Sequence, residues 1–140
     1  MNNKPPSKDI GECIIFDVRC HMKSLDVPLV ILSSLQQSWA FFVQTDFGGW
    51  PNSQIIHKYV EYADHCFSAF GGRVKKWITF NEPWVFTVFG YSDGSMAPNM
   101  KDPGRSEYQA GRNVILAHAK AYRFATLIYC LGQVKVYACA

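Results

Sequence analysis

Glu82 is the residue of this sequence best placed to do chemistry. It stands between Asn81 and Pro83, directly after the apolar, aromatic run Trp77-Ile78-Thr79-Phe80. β-Branched and aromatic residues favour a strand, and proline cannot donate to a sheet ladder, so the strand is expected to stop at Pro83. Phe80, Trp84 and Phe86 surround Glu82 in the sequence. Apolar neighbours strip water from a carboxyl and favour its neutral form. A carboxylic acid that is neutral near physiological pH can act as a general acid and give its proton to a departing oxygen. Asn81 offers a donor and an acceptor, which suits a hydroxyl-bearing ligand. From position alone, a solvated loop glutamate is the competing reading.

The elements that must position this pair follow from the patterning. Val27 to Leu32 is a short apolar run with β-branched members, as expected of a strand buried on both faces. Gly48-Gly49-Trp50-Pro51-Asn52 breaks the chain, and Asn52 or Ser53 can cap the helix that follows. Ile55, Ile56, Tyr59, Val60, Ala63, Cys66, Phe67 and Phe70 recur at helical spacing, with Lys58, Glu61 and Asp64 opposite. Gly71-Gly72 is expected to end that helix in the left-handed conformation glycine adopts cheaply. After Pro83 a loop is expected through Gly90, Gly94, Pro98 and Pro103. A second helix is expected from Ser106, carrying Tyr108, Val114, Ile115, Ala117, Ala119, Ala121 and Tyr122, and a short strand over 134–137. Strand, helix, strand, loop, helix and strand is the order of a parallel α/β arrangement.

The words around Glu82 are specific. Trp77-Ile78-Thr79-Phe80-Asn81-Glu82-Pro83-Trp84 resembles the acid/base segment of glycoside hydrolase family 1, the β-glucosidase and lactase-like enzymes. Phe47-Gly48-Gly49-Trp50 and Phe70-Gly71-Gly72-Arg73-Val74-Lys75-Lys76 resemble the approach to it. Phe89-Gly90-Tyr91, Gly94, Ala97-Pro98 and Leu116-Ala117-His118-Ala119-Lys120-Ala121 resemble the segment after it. The resemblance covers residues 46–123, with divergent segments over 1–45 and 124–140. It implies a fragment of a (β/α)8 TIM barrel and hydrolysis of β-glucosides or β-galactosides with retention of configuration. It implies Glu82 as general acid/base and Asn81 as a contact to the sugar hydroxyl next to the reacting carbon. Trp84 is either a border of the aglycone side or a packing residue. His118, in mid-helix, is expected to be structural.

The pattern also stops short. Retention needs a second carboxylate roughly 5 Å from the first. The family carries it in a Glu-Asn-Gly word, which this sequence lacks; its glutamates are Glu12, Glu61, Glu82 and Glu107. Asp93, in the following loop, is a poor substitute because nothing in the sequence fixes its distance to Glu82. Ser33-Ser34 stands where the family has a His-Trp pair. A whole barrel needs roughly 250 residues, so the chain is expected to be a piece of one, lacking a nucleophile and inactive alone. The alternative is a truncated or pseudoenzyme chain that at most binds sugar.

Composition narrows the remaining classes. With 49% hydrophobic and 18% charged residues, the chain is globular rather than disordered. A net charge of +3 without a basic run gives no case for nucleic acid. The five cysteines, Cys13, Cys20, Cys66, Cys130 and Cys139, form no C-x-x-C pair, and reduced thiols are expected. His21 beside Cys20 completes no zinc spacing, and neither metal nor cofactor is expected. No signal peptide and no membrane segment is read, which makes the cytoplasm the default expectation.

Overall fold

The computed structural model of the chain describes residues 29–31, 46–72, 74, 76–128 and 135–137. Six elements run in the order β1 (Leu29–Ile31), α1 (Ile55–Phe70), β2 (Lys76–Ile78), α2 (Pro83–Tyr91), α3 (Ser106–Ile128) and β3 (Lys135–Tyr137). The strands form one sheet in the order β1-β2-β3, and both pairings are parallel. Parallel neighbours need a crossover between them. The segment holding α1 provides it between β1 and β2, and the segment holding α2 and α3 provides it between β2 and β3. Ile31, Ile78 and Tyr137 are register partners, so all three strands end at one rim. The alternation expected from sequence is thus present. The readings made on Ser33-Ser34 and on Cys13, Cys20, His21, Cys130 and Cys139 lie outside the described residues.

The core lies where α1, α3 and β2 meet. Helix α1 buries Ile55, Ile56, Tyr59, Tyr62, Ala63, Cys66, Phe67 and Phe70. This is the expected stripe with Tyr62 added and Val60 at its half-buried margin. Helix α3 buries Ser106, Ala110, Asn113, Val114, Ala117, Ala121 and Ala125. Four alanines on one face let it lie close against α1. Trp77 of β2 is fully buried, and the edge of Phe67 meets it at 5.1 Å between centroids, 86° apart. Its indole N–H donates to the Val74 carbonyl at 3.2 Å, so the buried ring leaves no orphan donor. Burial raises the Cys66 thiol to about 12, which keeps it an inert part of this core.

Five expectations change on contact with the structure. Strand β2 stops at Ile78 rather than Phe80, and Thr79 and Phe80 turn to the helices instead. Pro83 does not lead into a loop; it opens α2. The first helical N–H has no partner in any case, so proline fits there without loss. Gly71 caps α1 in the right-handed region, at φ −58°, with its N–H on Phe67 O at 2.8 Å. A Cβ there would come within 2.5 Å of that same oxygen, so close approach rather than a left-handed turn calls for glycine. Asn52 organises the entry to α1 without being its cap residue. Its Oδ1 accepts from Gln54 N–H at 3.0 Å, its amide donates to Phe47 O at 2.9 Å, and Gln54 takes the cap position. In α3, Tyr108, Ile115 and Tyr122 face outward, with Ile115 67% exposed, so the apolar residues read from sequence mix two faces.

This packing sets a contrast. Trp77→Ala removes a fully buried ring and is expected to lower the unfolding free energy by about 3–5 kcal/mol. Ile115→Ser, on the outward face of α3, is expected to change it by no more than about 0.5 kcal/mol. Urea unfolding of the full chain and both variants checks the pair.

Candidate active site

Glu82 lies four residues beyond the last residue of β2, at the rim where all three strands end. Its backbone is left-handed, at φ 46° and ψ 58°, and it occupies the N-cap position of α2 without a side-chain capping bond. Such a conformation costs an L-residue about 1–2 kcal/mol, so its surroundings must enforce it.

Enforcement comes from both sides. Upstream, Thr79 is fully buried and held twice. Tyr59 of α1 donates its hydroxyl to Thr79 O at 2.8 Å, and Thr79 Oγ1 shares a 2.8 Å hydrogen bond with His118 Nδ1 of α3. Phe80 then stacks on Tyr59 at 4.6 Å and meets the edge of Trp50 at 5.3 Å. Downstream, Val85 N–H and Phe86 N–H donate to Glu82 O at 3.0 and 3.4 Å, so the first turn of α2 begins on Glu82 itself. Helix α2 is tied down at its far end. Tyr91 Oη accepts from Trp50 N–H at 3.1 Å, and Asn113 of α3 donates to the carbonyls of Trp50 and Pro51 at 2.9 and 3.1 Å. Gly90 abuts the following loop so closely that a Cβ would meet Ala97 O at 2.9 Å.

Asn81 and Glu82 are exposed, and Trp84, two residues on, is 66% exposed with its edge against Phe89. The three residues picked out from the sequence therefore share one surface segment at the rim. The desolvation expected from Phe80, Trp84 and Phe86 is not met: Phe80 is buried beneath the motif, and Trp84 faces outward. His118, expected to be structural, is half-buried with its Nδ1 at 2.8 Å from Thr79 Oγ1. Tyr59 and Thr79 were legible only as core and strand residues, yet they hold the motif. The available signal was chemical: a tyrosine on a buried helix face brings a hydroxyl that must find a partner.

The other candidate carboxylates are engaged elsewhere. Glu61 pairs with Lys58 at 2.8 Å on the outer side of α1. Asp93 Oδ1 accepts from the N–H and hydroxyl of Ser95 at 2.8 and 2.7 Å, and these bonds hold its carboxyl below the usual range. Glu107 Oε1 accepts from Gly104 N–H at 2.6 Å at the start of α3, which lowers it likewise. Among the described residues, no group of three or more His, Cys, Asp or Glu is placed to hold a metal ion. No helix among them is long and apolar enough to cross a membrane.

Three parallel strands joined by helical crossovers, with Glu82 just beyond their C-terminal rim, define a segment of an α/β fold. The sequence profile of glycosyl hydrolase family 1 matches residues 41–138, and the chain belongs to that family. It is 49% identical to the lactase/phlorizin hydrolase of Rattus norvegicus over 77 residues, covering 55% of this chain and 4% of that protein. It is 48% identical to the cytosolic β-glucosidase of Cavia porcellus over 77 residues, covering 55% of this chain and 16% of that protein. Among solved structures, an aphid myrosinase superposes with a TM-score of 0.64 at 38% identity, over 68% of this chain and 21% of that one. A family 1 β-glucosidase from Thermotoga maritima superposes with a TM-score of 0.63 at 36% identity, over 69% and 21%. The chain thus spans a fifth or less of the curated relatives it matches here.

Partial burial lowers the affinity of His118 for a proton below the ordinary imidazole value of 6.5. The unfolded chain therefore binds a proton at His118 before the folded chain does, and stability rises with pH across that window. Stability is expected to be full above about 6.5 and to fall as the pH drops below it. His118→Asn is expected to flatten that fall, as thermal unfolding between neutral and mildly acidic pH checks.

Proposed function

We propose that this chain carries the acid/base half of retaining β-glycoside hydrolysis, with Glu82 as the proton donor. The three parallel strands are read as consecutive members of a (β/α)8 barrel, with residues 46–123 as its most family-like segment. The observation that carries the reading is the place of Glu82, raised on a constrained backbone at the C-terminal rim, where barrels of this kind do their chemistry.

In that reaction the carboxylic acid of Glu82 protonates the glycosidic oxygen as the bond to the anomeric carbon breaks. A carboxylate on the opposite face attacks that carbon and forms a glycosyl-enzyme ester. Glu82, now ionised, takes a proton from the water that cleaves the ester. Asn81 contacts the hydroxyl next to the reacting carbon, and Trp84 borders the aglycone. The substrate is a small β-glucoside or β-galactoside. The nucleophile has to come from outside these 140 residues, because the sequence has no Glu-Asn-Gly word and the two carboxyls must lie about 5–5.5 Å apart.

A second reading, a catalytically inactive chain that at most binds sugar, is favoured by that missing word and by the exposure of Glu82. Two measurements separate the readings. The chain alone is expected to hydrolyse an aryl β-glucoside no faster than its Glu82→Gln variant. Grafted in place of the matching segment of the Thermotoga maritima β-glucosidase, it is expected to support turnover. In the graft, Glu82→Ala should then slow hydrolysis of a poor leaving group by about 10²–10⁴-fold, the usual scale of general acid catalysis. An activated aryl leaving group, which needs no proton, should suffer less in the glycosylation step. An inert graft that still quenches tryptophan fluorescence on sugar titration would favour the binding-only reading.

A further inference from the structure

Four buried or half-buried contacts converge on the two residues that precede the Asn81-Glu82 pair. Tyr59 Oη reaches the Thr79 carbonyl, His118 Nδ1 reaches the Thr79 hydroxyl, and Tyr59 and Trp50 pack on the ring of Phe80. The two polar contacts come from different helices, α1 and α3, which pack against each other over the core. Together they engage both the backbone and the side-chain oxygen of Thr79. Glu82 follows three residues later in a conformation that L-residues rarely adopt.

We infer that Tyr59 and His118 are positioning residues for Glu82, acting through Thr79. They hold the end of the strand so that the chain must arch through Asn81 and Glu82 before α2 can begin. This inference rests on the reading of Glu82 as the acid/base, but it concerns geometry and is tested without turnover. It also separates the roles of the two helices. The hydroxyl of Tyr59 fixes the backbone of Thr79, whereas His118 fixes its side chain, so loss of either leaves one anchor and frees the other.

The structure supplies an internal control. Asn99 is the other non-glycine residue with positive φ among those described, at 62°. It lies in the loop between α2 and α3, and its side-chain amide donates to Gly94 O rather than to any member of the clamp. In the isotope-labelled full chain, nuclear magnetic resonance reads positive φ from the one-bond Cα–Hα coupling and from a strong intraresidue contact between Hα and the amide proton. Glu82 and Asn99 are both expected to show this signature.

Tyr59→Phe keeps the ring on Phe80 and removes only the hydroxyl; His118→Leu removes the ring nitrogens. Both are expected to abolish the signature at Glu82 and leave it at Asn99. His118→Asn, whose amide falls near the position of Nδ1, is expected to restore it. Retention of the Glu82 signature in either Tyr59→Phe or His118→Leu would overturn the inference. So would its simultaneous loss at Asn99, which would make the clamp a general folding contact. A pinned Glu82 in a graft without turnover would sink the functional reading and leave the positioning role standing.

Discussion

The structure around the candidate site depends on one residue being held from two directions. Thr79 is buried at the point where β2 ends, and both of its oxygens are bonded to helix side chains. Net contributions of about 0.5–1.5 kcal/mol per hydrogen bond look small beside a whole fold. They are of the same order as the 1–2 kcal/mol that a left-handed L-residue costs. Two such bonds, together with the aromatic stack on Phe80, therefore suffice to offset the strain at Glu82. If either oxygen of Thr79 lost its partner while remaining buried, the penalty would be larger than the bond's net worth, because a desolvated polar group would be orphaned. The clamp is thus stable in an asymmetric sense: modest when made, costly when half broken.

The same logic explains why α2 begins where it does. A strand-to-helix transition has to reverse direction within a few residues, and here it does so over Asn81 and Glu82. Pro83 arrives with φ already suited to a helix and with no N–H to satisfy. Glu82 contributes its carbonyl to the first bonds of α2, while Thr87 Oγ1 bonds back to Pro83 O at 2.7 Å. Tyr91 then ties the far end of α2 to the Trp50-Pro51 turn, which Asn113 of α3 holds from the other side. Glu82 is accordingly set by elements drawn from α1, α2 and α3, although its neighbours in sequence span only a few residues.

That distribution decides what could be read from the sequence. The stripe of α1 and the order of strands and helices were legible, because burial of one face imposes a period on the chain. The Asn81-Glu82-Pro83 word was legible through resemblance. Helix α2 was not, because Pro83–Tyr91 is apolar on every side and carries Gly90 near its end, so no stripe betrays it. The inward face of α3 was only half legible: its contact surface is built from alanines and Asn113, while the conspicuous residues Tyr108, Ile115 and Tyr122 point away. The clamp was invisible for a different reason. Tyr59, Thr79 and His118 are separated by 20 and 39 residues, and no local pattern records that two helix faces meet the end of a strand.

The exposure of Glu82 completes the physical picture. A general acid working near neutral pH must be kept protonated, and desolvation is the usual means. Among the described residues Phe80 is buried and Trp84 faces outward, so neither covers the exposed Glu82. Under the proposed function, two properties of one carboxyl therefore have separate origins. Its placement is local, fixed by Thr79 and by the first turn of α2. Its enclosure would come from the assembled site, from whatever walls close over the rim. Mutations in the clamp and mutations in those walls should consequently act on different observables, geometry in one case and pH dependence of turnover in the other.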